Sequence, residues 1–178
     1  GGHPDYTVLA DAGADAKGES LAKDIRAWIK EGRHDEAMQK IDELVALDPD
    51  RYGQYAAYKF AYILTKTHDR AAAYAYARQA AAGPISANAG ALSGIARAII
   101  ADTQTDARDL DLALQLAKQA VAAGKEADAG SLETLALACW EKQLPEEAIA
   151  AQKDAIAAAR PEKRAEMQKT LERYQGAK

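Results

Sequence analysis

Residues Ser131–Pro161 read SLETLALACWEKQLPEEAIAAQKDAIAAARP, and the spacing in this stretch decides the fold. Leu132, Leu135, Ala136 and Cys139 recur three and four residues apart, which places them on one helix face. Ala148, Ile149, Ala155 and Ile156 do the same in the second half. Between the two runs stands Pro145, well suited to the first turn of a helix because the amide hydrogen it lacks has no partner there. The stretch therefore reads as two helices joined by a short turn.

A single helical hairpin cannot bury its own apolar face, so the pattern should return at a fixed period, about 34 residues in known helical-hairpin arrays. Upstream, Leu92, Ile95, Ala96 and Ile99 form one stripe. A long turn, DTQTDARD, follows, and then Leu110, Ala113, Leu114, Ala117, Ala120 and Val121, with Gly124 as terminator. Before that, Ala57, Phe60, Ala61 and Leu64 precede the turn KTHDR and the return helix Ala71–Ala82, closed by Gly83-Pro84. First in the chain come Leu21, Ile25, Trp28 and Ile29, the break EGRHD, then Ala37, Met38, Ile41, Leu44 and Val45. Here Gly32 is suited to a left-handed helix end and Asp35 to a cap. Asp48-Pro49 stops the helix, since a residue before proline avoids the helical region. A final segment from Pro161 shows only a narrow stripe of Met167, Leu171 and Tyr174, the pattern of a capping helix with one wet face. The expected units are 20–51, 54–87, 89–127 and 129–161, with a cap over 161–175. Residues 1–19, with little periodicity apart from Tyr6, Val8 and Leu9, are expected to be a linker or the tail of a preceding domain. An opening at Gly1 without Met suggests a piece of something longer.

Composition agrees with an all-α chain. About a quarter of the residues are alanine, the strongest helix former, and Gly and Pro fall mostly at segment ends. The net charge of −4, with no Lys/Arg-rich block, argues against nucleic acid as a partner. The longest apolar run, Ala89–Ala101, is too short to span a bilayer and contains Arg97, so no membrane insertion is expected. One cysteine, Cys139, allows no internal disulfide and no redox pair.

These hairpins resemble the tetratricopeptide repeat (TPR) family. WIKEGRHDEAMQKIDELVALDP follows the family's turn and exit with Gly32, Ala37 and Pro49 in place, and Ala136, Ala148 and Ala155 match its three small positions. The resemblance covers about Leu21–Pro161. It implies a right-handed α-solenoid of about four hairpins plus a C-terminal capping helix, whose first helices line a concave groove. Small residues carry the signal because helix axes approach closely only where side chains are short. A narrower likeness is carried by RDLDLALQLAKQAV with SLETLALACWEKQLPEEAIAAQKDAI, and by Gly2-His3-Pro4. It is similar to the helical region behind a thioredoxin-like domain in some bacterial redoxin proteins, and it implies an accessory or dimerisation domain of a larger thiol-disulfide protein, with a periplasmic or extracytoplasmic location. Otherwise the cytoplasm is expected.

The search for chemistry in the sequence is short. His3, His34 and His68 are scattered, and turn histidines are usually solvated, so no metal site is expected. Asp102, Asp106, Asp109 and Asp111 crowd the third turn, but they lack the central Gly and terminal Glu of a helix-loop-helix calcium loop. Capping is the simpler reading, with Asp109 as the cap. Cys139 falls on a core stripe, where cysteine behaves as a small hydrophobe. No catalytic residue and no cofactor is expected.

One feature rises above the scaffold. Tyr55, Tyr58 and Tyr62 recur at i, i+3 and i+7, with Lys59 and Lys66 nearby, on a different face from the core stripe. With Arg26, Lys30, Arg97 and Trp140 they are the residues that the resemblance places in the groove. Tyrosine and arginine serve well as binding anchors, joining large apolar area to hydrogen-bonding tips. The alternative is that the tyrosines fill gaps between hairpins, as Tyr74 and Tyr76 could against the alanine-rich Ala71–Ala82. The expected function is a non-catalytic scaffold holding a partner peptide or helix, with a homodimer possible. A ligand-binding helical enzyme is a third class, without a placeable acid/base pair.

Overall fold

The computed structural model describes residues 6–124 and 128–176, with the backbone alone for 6–12 and 14. Ten α-helices follow one another and no strand occurs among the described residues. They are α1 (Tyr6–Lys30), α2 (His34–Leu47), α3 (Pro49–Tyr52), α4 (Gln54–Tyr62), α5 (Arg70–Ala82), α6 (Ala89–Ile100), α7 (Leu110–Ala123), α8 (Ala129–Glu141), α9 (Pro145–Ala158) and α10 (Pro161–Gly176). None is long and apolar enough to cross a membrane.

Each boundary has a local cause. Gly32 takes φ +79, a left-handed value open to glycine, at the end of α1. Asp48 is extended and accepts from Arg51 N at 3.0 Å, with Pro49 opening α3. Asp69, Asn88, Asp109 and Asp128 each accept a backbone N–H in the first turn of α5, α6, α7 and α8, removing one of the orphan donors of a helix start. Asp109 is therefore the cap expected of it. Asp35 is not: α2 starts at His34 with no side-chain cap, because Gly32 turns the chain so sharply that Asp35 already lies in the first turn. Its carboxylate still suits the positive end of the helix dipole. Asp48, Asn88 and Asp128 stand 40 residues apart, as do Asp69 and Asp109. The structural period in the middle of the chain is thus longer than 34, because α3 and the Thr105–Ala107 turn of 3₁₀ helix add residues.

The helices pack on their neighbours in order. α1 packs on α2, α2 on α4, α4 on α5 and α6, α6 on α7 and α8, α8 on α7 and α9, and α9 on α10. Side-chain hydrogen bonds between distant residues carry the same message. Apart from Lys17–Glu43, Lys59–Asp42 and Gln152–Met167, those among the described residues join positions 29 to 39 apart, from Arg26–Tyr55 to Asn88–Pro49. Among the described residues the helices thus pack chiefly on elements near them in the chain order.

The core follows the apolar stripes, with shifts where alanine made the register ambiguous. Ile25, Ile41, Leu44, Leu92, Ile95, Ala96, Ile99, Ala136, Ala148 and Ala155 are fully buried, and Met167, Leu171 and Tyr174 seat α10. On α4 the deep stripe is Ala56, Phe60 and Leu64; Ala57 and Ala61 are only half-buried, one step around the helix. On α7, Leu112 and Leu116 go in, while Leu110, Leu114 and Val121 lie at the margin. On α9, Ala151 and Gln152 are buried and Ile149 and Ile156 are half-buried.

The first helix departs most from expectation. α1 starts at Tyr6, inside the stretch 1–19 expected as a linker, and its Lys17–Glu19 turn docks on the fold. Lys17 pairs with Glu43 at 2.9 Å and Glu19 with Arg51 at 2.7 Å. Gly18 is buried beneath Tyr52, where an added Cβ would lie 2.8 Å from the ring. Around Lys17–Glu19 the contacts are made by a missing side chain and by charges, which hydrophobic spacing does not signal.

Candidate functional site

The residues expected in a groove fall into two places. Arg26 on α1 and Tyr55 on α4 meet: the guanidinium Nη1 donates to the tyrosine hydroxyl at 3.0 Å. They line an open depression of about 670 Å³ with Lys23, Arg51, Tyr52 and Glu19. Tyr52 and Tyr55 sit edge to face, ring centroids 6.4 Å apart, and Arg51 lies over the Tyr52 ring at 5.3 Å. Lys30 is exposed one helical turn beyond Arg26.

Farther along α4 the tyrosines diverge in role. Tyr58 is the one large apolar side chain left exposed among the described residues, at 38%. Tyr62 is half-buried and stacks on His34, centroids 5.3 Å apart, covering the turn between α1 and α2. After Tyr62 the helix widens into a π turn over Ile63–Thr67, where Lys66 is exposed, and ends at His68 with φ 57. So Tyr62 packs, Tyr55 both packs and borders the depression, and Tyr58 is free.

Arg97 and Trp140 lie elsewhere. Arg97 of α6 reaches α8, donating to Thr134 Oγ1 at 2.7 Å and pairing with Glu133 at 3.1 Å. Trp140 stacks on Tyr174 of α10, centroids 4.4 Å apart, and helps seat the last helix. These two, expected in the same groove as Tyr55 and Tyr58, make their contacts farther along the chain, Arg97 with α8 and Trp140 with α10.

The seam of α2, α4 and α5 holds a polar contact that periodicity alone did not reveal. Lys59 pairs with Asp42 at 2.7 Å and lies 5.1 Å from the centre of the Tyr76 ring, while the Tyr76 hydroxyl donates to Asp42 at 3.2 Å. Burial and the neighbouring Asp42 carboxylate push the Tyr76 hydroxyl well above its ordinary range, so it remains a donor. This triad ties α2, α4 and α5 together. Tyr74 also packs, stacking near Phe60 and donating to the Ala107 carbonyl at 3.1 Å.

The residues considered for chemistry stay dispersed. Cys139 is buried, and burial followed by Glu147 pushes its thiol up, away from the reactive thiolate. His34 and His68 belong to different turns, and His3, like Gly2 and Pro4, lies outside the described residues. Asp102 pairs with Arg70 at 2.6 Å, Asp109 with Arg78, and Asp111 with Lys142 at 2.6 Å, so each of the three faces its own cation instead of a common centre. Compared with known proteins, the chain matches no family model, no curated protein and no solved structure.

Proposed function

We propose that this chain is a short α-solenoid of TPR-like hairpins that works as a protein-interaction scaffold, receiving a partner segment along α1 and α4. The solenoid reading is supported by packing that runs chiefly between elements near one another in the chain, as expected of a quasi-one-dimensional array, and by the small residues at helix crossings. Gly94 faces Ala57 so closely that an added Cβ would lie 3.1 Å away.

The observation that carries the functional reading is Tyr58. Among the described residues one large apolar side chain stays exposed, Tyr58, about one turn of α4 beyond Tyr55, which lines a depression with Arg26, Arg51 and Tyr52. Those are the residue types that concentrate binding energy, because they bring much contact area at little entropic cost.

The test is a selection of peptides from a random display library on the immobilised chain, repeated with Tyr58→Ala and Arg26→Ala. Enriched peptides should lose about tenfold or more in affinity with either variant, a typical anchor effect, while thermal melting stays in place. Enrichment of no peptide, or of peptides indifferent to both variants, would remove the reading.

A further inference from the structure

We infer that the α1–α4 ledge takes an acidic segment of a partner protein, an inference that rests on the scaffold reading and narrows its partner. The argument begins with ion pairing. From Lys17 to Lys142 two thirds of the described lysines and arginines are matched to a carboxylate: Arg33 to Glu31 and Glu36, Lys40 to Glu43, Arg51 to Glu19, Lys59 to Asp42, Arg70 to Asp102, Arg97 to Glu133 and Arg108 to Glu141 are examples, whereas the cations of the last two helices form no ion pair with a described residue. Lys23, Arg26, Lys30, Lys66 and Lys118 form no ion pair with another described residue.

Three of these five occupy one stripe. Lys23, Arg26 and Lys30 stand at i, i+3 and i+7 on α1, and all are exposed. On α4, Tyr55, Tyr58 and Tyr62 stand at the same i, i+3 and i+7. The Arg26–Tyr55 hydrogen bond joins the two helices, and Lys23 and Arg26 line the same depression as Tyr52 and Tyr55, while Tyr62 stacks on His34 of α2. Unmatched cations thus stand beside aromatic side chains in a protein whose net charge is −4. Glu19, the acid that borders the depression, is already matched by Arg51. The unmatched row calls for carboxylates, and the adjacent Tyr58 ring for an apolar side chain between them.

The length of the row chooses between acidic macromolecules. A stripe of seven residues on a helix spans only about 10 Å. It is flanked on α1 by the acids Asp15, Asp24 and Glu31, so no basic track continues that could follow a phosphate backbone. Two or three carboxylates of a peptide satisfy it.

The experiment uses the whole chain and a series of labelled peptides of about twelve residues, one Leu-containing framework carrying zero, two or four glutamates, measured by fluorescence anisotropy at about 50 and 300 mM salt. Affinity should rise at least tenfold or so from zero to four glutamates and fall with salt, as charge-matched binding does. Lys23→Gln/Arg26→Gln/Lys30→Gln should abolish that rise, whereas Lys118→Gln, at the unmatched cation of α7, should keep it. All four residues are exposed, and circular dichroism of each variant reports the fold. Affinity indifferent to glutamate number, or a triple variant that binds as well as the parent, would overturn the inference. Library-selected neutral peptides that still depend on Tyr58 would then leave the scaffold reading standing. Equal or tighter binding of an oligodeoxythymidine of matched charge would overturn the choice of a peptide.

Discussion

Helices α4 and α6 occupy corresponding places in successive units, yet they are used differently. α6 buries seven of its twelve residues, being covered by α4, α7 and α8 together. α4 buries two of its nine, Ala56 and Phe60, and keeps Tyr55, Tyr58, Lys59 and Tyr62 at partial or full exposure. The polar side chains follow the same division. On α6, Ser93 and Arg97 are turned toward α8, at Ser131 and Thr134. On α4, Tyr58 has no such neighbour. A helix with most of its residues buried cannot offer its side chains to a partner; α4, with two of nine buried, keeps one face open. The comparison assigns the densest packing to the middle of the chain and the more exposed side chains to its first half.

The sharpest way to break that comparison is to hollow α6. Ile95 is fully enclosed, so Ile95→Ala should cost about 3 kcal/mol, the usual range for such a truncation. Urea denaturation gives the value, and a loss under about 1 kcal/mol would mean that α6 is not the packed centre. Next comes the joint between the two halves. Asn88 caps α6 and also donates to the Pro49 carbonyl at 2.7 Å, and a Cβ on Gly53 would lie 2.6 Å from that carbonyl while striking the Asn88 amide. Gly53→Ala should therefore cost about 2 kcal/mol by overpacking, with Gly13→Ala, which lies inside α1, meets nothing within 4 Å and should stabilise by about 0.5–1 kcal/mol, as the control of opposite sign.

A smaller effect tests the cap that begins the last hairpin. Asp128 accepts from Gly130 and Ser131 N–H and from the Ser131 hydroxyl. Burial acts to raise its pKa, but these hydrogen bonds outweigh it and hold the carboxyl below its ordinary value of 3.8. Because the folded value is the lower one, the stabilisation is complete above the unfolded value and is lost as pH falls through the folded value. Asp128→Ala should cost about 1 kcal/mol at neutral pH, and the variant's stability should fall less steeply below pH 3.8 than the parent's. Parallel acid limbs would show that the cap does not contribute. The smallest expected change in stability is at the proposed site: Tyr58→Ala should stay within about 0.5 kcal/mol, as exposed positions do. A drop of several kcal/mol would make Tyr58 a packing residue and would erase the distinction between the two helices.

The residues most legible in the sequence were those with one reasonable face. Leu92, Ile95, Ala96 and Ile99 are large or flanked by large neighbours, and all four are buried as their spacing implied. On α4, Ala56, Ala57 and Ala61 offered several equivalent registers, and only packing against Phe60 and Gly94 separates them. The same limit governed the site. Tyr55, Tyr58 and Tyr62 share a spacing, but their different fates depend on Arg26, on open solvent and on His34, all supplied by other segments or by none.

Local chemistry thus determined by itself that this protein is helical, where most helices start and stop, and which broad faces are apolar. Alanine propensity, Gly32 at a left-handed turn, and the side-chain caps at Asp69, Asn88, Asp109 and Asp128 act within a few residues of themselves. What only the tertiary structure decided was the docking of Lys17–Glu19, the Lys59–Asp42–Tyr76 triad, and the choice of which tyrosine remains exposed. Those depend on side chains about thirty residues apart in sequence, and hydrophobic spacing carries no information about which neighbour will be there to meet them.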